Sequence, residues 1–292
     1  MKISRSEKMM NIFLYVFLIF LCILTMYPLV NSLILSLSFE GMGTESNIFA
    51  LRGKGSIEAW KGIVYSLYMW RGFWNSITRT VIGSVVSILL TTMMAYPLSK
   101  KQFIGYKTFN AMIVASMMFN VGAIPNYILM KNLNLIDNFL VLILPGAVSA
   151  FNLIVLRNFF QAIPASLEES AKLDGANEFI ILFKIIVPMS MPALATISLW
   201  VMVANWNSWF DVVLYISSRE KFLLPAILRE IVVSNTLDDS FKEAAYSSGT
   251  ILPTTESMQA AATLFTTIPI LLVYPFIQRY FVKGIMLGSV KG

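Results

Sequence analysis

From Asn11 to Leu37 the chain carries no charged side chain. A helix needs about 20 apolar residues to cross the hydrocarbon of a bilayer, where every backbone N–H and C=O must be satisfied internally. On that rule five more stretches are spans: Trp74–Leu98, Phe109–Met130, Phe139–Leu156, Ala193–Ile216 and Gln259–Ile277. They predict an all-α polytopic membrane protein with six transmembrane helices, one membrane domain over residues 1–292, and a helix pair between the fourth and fifth spans. The first run exceeds the roughly 7–15 residue core of a signal peptide and has no small-residue cleavage site, so it reads as a retained span.

Composition supports this class. The chain is 57% hydrophobic and 13% charged, with mean hydropathy +0.71, whereas soluble domains carry about 25% charged residues. Pro28, Pro97, Pro125, Pro145, Pro269 and Pro275 lie in or at the ends of spans. Such kinks suit a lumen that opens and closes, or simple packing irregularity. The even span count puts both termini on one side. That side holds Lys2, Arg5, Lys8, Lys100, Lys101, Lys107, Arg157, Lys172, Lys184, Arg279, Lys283 and Lys291, twelve cations against nine in the opposite, longer loops. Positive charge concentrates on the cytoplasmic side, so both termini are expected in the cytoplasm of a cell (inner or plasma) membrane.

Several chemistries are excluded. There is no histidine, and the only cysteine is Cys22, so no intrachain disulfide forms and no metal site is expected. No phosphate loop is present: Gly53-Lys54 is followed by Gly55 and lacks the upstream glycine. The acids lie in loops without histidine or cysteine partners, so no catalytic residue is expected. ATP and magnesium, if used, sit on another chain.

Pro164–Pro192 is the one charged, capped segment between apolar runs. Ser166 followed by Glu169 reads as a capping box, with Pro164 blocking the preceding helix. Gly175 ends the first short helix, Asn177 caps the second and Pro188 stops it. Phe179 and Phe183 share a face. A DNA-binding helix-turn-helix is rejected because Glu168, Glu169, Asp174 and Glu178 outnumber Lys172 and Lys184; no nucleic acid partner is expected.

This segment resembles the coupling loop of binding-protein-dependent ABC importers, E-A-A, three residues, G, nine residues, I-x-L-P. Glu169-Ser170-Ala171, Gly175 and Ile185-Ile186-Val187-Pro188 match it, with serine and valine as departures, and Asp174-Gly175-Ala176 matches the D-G-A of the carbohydrate-uptake branch. Ala95-Tyr96-Pro97-Leu98-Ser99-Lys100, Asn152–Phe160 and the ending Tyr280–Gly284 with Val290–Gly292 resemble further segments of maltose-type permeases. The resemblance implies that Glu168, Glu169, Ala171, Asp174, Gly175, Ala176, Phe179, Ile185 and Pro188 dock a cytoplasmic ATPase. It also implies two ATPase subunits, a second, non-identical permease, an extracytoplasmic solute-binding protein and a sugar substrate, an oligosaccharide by expectation. The tail residues Gly288, Lys291 and Gly292 are expected to reach the ATPase.

Polar residues inside spans are costly and mark pathways. Asn120, Asn126 and Asn152 lie in the third and fourth spans; the fifth holds Trp200, Asn205, Trp206, Asn207, Trp209 and Asp211. Amides suit sugar hydroxyls and aromatic faces suit the apolar side of a pyranose ring. On a continuous helix Asn205 and Trp209 share a face flanked by Trp206, opposite Trp200, Asn207 and Asp211. The first set, with the three span asparagines, is expected to line the pathway. The other reading is an interfacial aromatic belt with interhelical amide bonds. Arg79 is expected to snorkel at the outer end of its span. Ser217–Met258, with a short helix at Pro225–Ser234, is expected to form an outer loop contacting the binding protein. The rivals are an importer permease for a non-sugar solute, an assembly protein without transport, and an ion-coupled carrier. The last would need buried acids, which the spans lack before Asp211.

Overall fold

The computed structural model describes residues 5–37, 55–119, 121–234 and 254–289. Among them all regular structure is helical: α1 (Arg5–Ser36), α2 (Glu58–Tyr65), α3 (Leu67–Ser99), α4 (Tyr106–Met118), α5 (Ala123–Asn132), α6 (Ala150–Gln161), α7 (Ala165–Leu173), α8 (Glu178–Met189), α9 (Met191–Asn207), α10 (Phe210–Tyr215), α11 (Leu224–Ser234) and α12 (Thr255–Ser289). Short 3₁₀ turns lie at Phe139–Leu142 and Arg219–Lys221.

Two compact units form, Met1–Trp70 with Leu228–Ile268, and Arg71–Ile227 with Pro269–Gly292. In the first, α1 exposes apolar side chains all round, Phe13, Phe17 and Phe20 among them, as a lipid-facing helix does. The indole N–H of Trp60 donates to Ser36 Oγ (3.2 Å). Tyr68 donates to Glu230 (3.0 Å), and Gln259 donates to the Ile231 carbonyl (3.2 Å).

The second unit is built around Leu156, Phe160, Ile181, Ile186 and Ile197, all nearly inaccessible. These residues come from α6, α8 and α9, so the core binds the Pro164–Pro192 segment to the fifth-span helix. A second cluster joins Leu142, Val212 and Leu223.

The spans are less continuous than the sequence predicts. Three helices are long and apolar enough to cross a membrane, or up to five when two bent pairs each count as one span. The third predicted span is split into α4 and α5. Gly122 takes φ +81° ahead of α5, and Pro125 falls in that helix's first turn, where its missing N–H costs nothing. The fourth is a 3₁₀ turn and then α6, separated by the Pro145-Gly146 turn signal. Asn138 caps the 3₁₀ turn and Ser149 caps α6. The fifth begins at Met191, bent by 83° from α8, and ends at Asn207. α12 continues past Pro269 and Pro275 to Ser289, so Gly288 is helical. Asn120, Lys291 and Gly292, and residues 235–253 of the expected outer loop, lie outside the described residues.

Candidate functional site

α7 starts two residues earlier than the capping box requires. Pro164 holds the cap position with φ −58°, and its carbonyl accepts the Leu167 N–H (3.3 Å). Ser166 therefore lies within the first turn and does not cap. The helix's end follows the sequence. Gly175 has φ +80°; its N–H donates to the Lys172 carbonyl (3.0 Å), and Ala176 N–H donates to that of Ala171 (2.9 Å). This pair of bonds is a Schellman motif, which needs a left-handed residue at Gly175's position. Ala171 and Ala176 pack together with the unit's core. Asn177 then caps α8, its side chain accepting the Ile180 N–H (2.9 Å).

Pro188 does not stop α8, which runs to Met189. A single π turn at Leu182–Ile186 opens the backbone ahead of it. That widening relieves the clash a proline ring makes with the carbonyl four residues back. Ile185 is half-buried and Pro188 exposed.

Charges tie this turn to the end of α3. Lys172 pairs with Glu178 at 2.7 Å, and Tyr96 donates its hydroxyl to the other Glu178 oxygen at 2.6 Å. Lys100 pairs with Glu168 and lies 4.9 Å over the Tyr96 ring. The Lys172 hydrogen bond, followed by that of Tyr96, holds Glu178 below the usual carboxylate range; the same Glu178 contact raises Lys172. Glu168 is buried, whereas Glu169 and Asp174 are exposed. A groove of about 700 Å³ runs between α3, α7 and α8, lined by Tyr96, Lys100, Glu169 and Phe179. Phe179 on its wall is 65% exposed, and Leu173, the last residue of α7, is 90% exposed. Tyr96, Lys100, Lys172 and Leu173 were absent from the sequence-derived site. The neighbouring A-Y-P-L-S-K motif was the available signal for the first two.

The fifth-span residues do not share the faces of one helix. α9 ends before Ser208, and Trp209 sits in the break, edge-on to Phe210. Trp206 is buried, with its ring 6.3 Å from that of Phe73. Asn205 instead borders a cavity of about 340 Å³ together with Asn152 and Trp200, a residue assigned above to the opposite face. Asn126 is exposed on α5.

Arg79 does not snorkel. It is 5% exposed, pairs with Asp211, and donates from Nε to the Leu142 carbonyl (3.0 Å). Asp211 also accepts from Ser208 Oγ (2.7 Å) and the Val212 N–H (3.0 Å). The pair joins α3, the 3₁₀ turn and the α9–α10 break. Among the described residues no cluster of three metal-ligating side chains is present.

The pattern of the family described as binding-protein-dependent transport system inner membrane component matches residues 87–287. A polygalacturonan/rhamnogalacturonan transport system permease protein of Bacillus subtilis is 38% identical over 98% of this chain and 100% of its own length. Protein LplC of the same organism is 35% identical over 92% of this chain and 90% of its own. A crystal structure of a bacterial ABC transporter involved in the import of the acidic polysaccharide alginate contains a chain of TM-score 0.88 and 32% identity. That match covers 96% of this chain and 99% of the other.

Proposed function

We propose a function from one premise: this chain belongs to the family of binding-protein-dependent transport system inner membrane components. It is a multi-pass permease subunit of an ABC importer for sugars. Its finer assignment, in our reading, is to an oligosaccharide containing uronic acid. The polygalacturonan/rhamnogalacturonan permease and the alginate transporter chain support this, since both are matched over nearly their whole length.

The α7–α8 turn docks a cytoplasmic ATPase. The observation that carries this is a pair of exposed apolar side chains, Leu173 at the end of α7 and Phe179 at the start of α8, flanking a turn fixed by Gly175 and Asn177. Exposed apolar side chains on a rigid, capped turn are what a protein partner buries. Glu169 and Asp174 add exposed acids beside them. ATP and magnesium bind on that partner, in two copies, and a second, non-identical permease completes the pathway. An external binding protein delivers the sugar, and both termini are cytoplasmic. Closure of the ATPases pushes α7 and α8, and the shared core carries the push into α9.

The test is co-purification. Glu169→Lys and Leu173→Asp should each remove the ATPase from the detergent-solubilised complex and abolish uptake, with normal amounts of the subunit in the membrane. Retention of the ATPase with normal uptake in both variants would overturn the docking assignment.

A further inference from the structure

The cavity beside α9 has a chemistry that the coupling turn lacks. Ser87 of α3, Ser149 and Asn152 at the start of α6, and Asn205 of α9 supply its polar groups; Phe151 and Trp200 supply its rings. Asn152 is 8% exposed, and its side-chain amide has no hydrogen-bond partner among the described residues. Among the described residues the Asn205 amide donates to Ser84 Oγ alone, at 3.4 Å, and its oxygen accepts no hydrogen bond. The Trp200 ring stands 5.6 Å from Phe151, tilted by 40°. Among the described residues, no charged one lines the space.

An amide without a protein partner is costly against lipid and inexpensive against water or a hydroxylated ligand. The cavity therefore faces a wet lumen or a polar occupant. Its volume sits at the lower end of the roughly 300–1,000 Å³ of ligand clefts. Amide donors and acceptors match the hydroxyls of a sugar, and the angled Trp200–Phe151 pair matches the apolar face of its ring. With no lysine or arginine among the described lining residues, a carboxylate seated there would lose its water without gaining a counter-charge.

From this we infer that the Ser87–Asn152–Trp200–Asn205 cavity is a sugar-ring subsite that reads hydroxyls and ring faces and does not read charge. Uronate groups of a passing chain point away from it, to be neutralised elsewhere in the assembly. The inference rests on the oligosaccharide reading above and adds which part of the sugar this subunit recognises.

The experiment uses the full chain, assembled with its permease and ATPase partners and its binding protein in membrane vesicles, on a Cys22→Ser background. Asn152→Cys and Trp200→Cys are labelled with a membrane-permeant maleimide in the presence of trigalacturonate or its trimethyl ester. Both sugars should slow labelling at least fivefold, the ester at a concentration no higher than the acid. Ile104→Cys, in the exposed loop between α3 and α4, should be unaffected. Cysteines that react freely but stay unprotected overturn the subsite, as do cysteines that are unreactive without sugar because a partner fills the cavity. Protection by the acid alone overturns its indifference to charge. Should the cysteine variants fail to assemble, the near-isosteric Asn152→Asp should raise half-saturation for trigalacturonate uptake at least tenfold, and an unchanged value overturns the subsite. Failure of wild-type vesicles to take up trigalacturonate would remove the oligosaccharide reading itself; uptake with unprotected cysteines removes the subsite alone.

Discussion

Two ion-paired regions of the Arg71–Ile227 unit differ in how much water they keep. The Arg79 and Asp211 side chains are 6% and 22% exposed, whereas Lys172 and Glu178 are 52% and 58% exposed. The first pair is wrapped by the Leu142 carbonyl, Ser208 and the Val212 N–H. The second has Tyr96 on one side and solvent on the other. Burial makes the loss of a single partner expensive, because the survivor keeps its charge without compensation. Exposure makes the same loss cheap, because water takes the partner's place. The Arg79–Asp211 pair therefore holds three segments together. The Lys172–Glu178 pair can exchange partners, as docking of the proposed ATPase on that surface would require.

The largest effect should follow from opening the buried pair. Arg79→Ala or Asp211→Ala should each destabilise the assembled subunit by about 3–5 kcal/mol, the range for a buried pair left with one member. The double variant should lose less than the sum of the two, because neither charge is stranded. Thermal unfolding of the detergent-solubilised complex measures all three. Single variants that melt with the wild type would erase the contrast between the two regions.

The turn itself should respond next. Gly175 has φ +80° and open space where a Cβ would sit. A substitution there is thus penalised by backbone conformation alone. Gly175→Val should cost about 1–2 kcal/mol and reduce ATPase co-purification. Gly175→Asn, which tolerates the left-handed region, should recover most of both. Equal losses for Val and Asn would mean that the position is read by its partner's shape and not by its backbone angle.

Legibility in the sequence follows the same division. Gly175 and Asn177 were readable because a cap is satisfied within a few residues of itself. The sugar-importer assignment was readable because the α7–α8 turn and the A-Y-P-L-S-K motif keep the family's spacing. Arg79 was misread because its partner lies 132 residues away, and a lone arginine near a helix end looks like one that reaches for water. The break at Ser208 carries no proline or glycine. It is accompanied instead by Asp211 accepting from Ser208 Oγ and the Val212 N–H, an arrangement that polar side chains near a helix start favour and that an apolar run disguises. The break ended the shared face of Asn205 and Trp209, and with it the grouping that left Trp200 out. Pro145-Gly146 in the fourth span was a readable turn signal outweighed by hydropathy.

The smallest effect belongs to the exposed pair, and its pH dependence has a definite sign. Glu178 is held below the usual carboxylate range, chiefly by the Lys172 hydrogen bond and then by that of Tyr96. Its contribution is present above the ordinary glutamate pKa and is lost as pH falls through the lowered value. Lys172 is raised by the same Glu178 hydrogen bond. Its contribution is present below the ordinary lysine pKa and is lost as pH rises through the raised value. Between those limits neither group titrates. Lys172→Ala should therefore cost no more than about 1 kcal/mol, by an amount constant between about pH 6 and pH 9 on the ordinary glutamate and lysine pKa values. The difference should shrink in strong acid, as Glu178 protonates, and in high salt, as the exposed charges are screened. Tyr96 keeps a hydrogen bond to Glu178 in the variant, so the carboxylate is not left bare. Melting curves of wild type and Lys172→Ala across that pH range make the comparison. A cost near that of Arg79→Ala, or a difference that changes between pH 6 and 8, would show that the pair is shielded from water in the assembled complex.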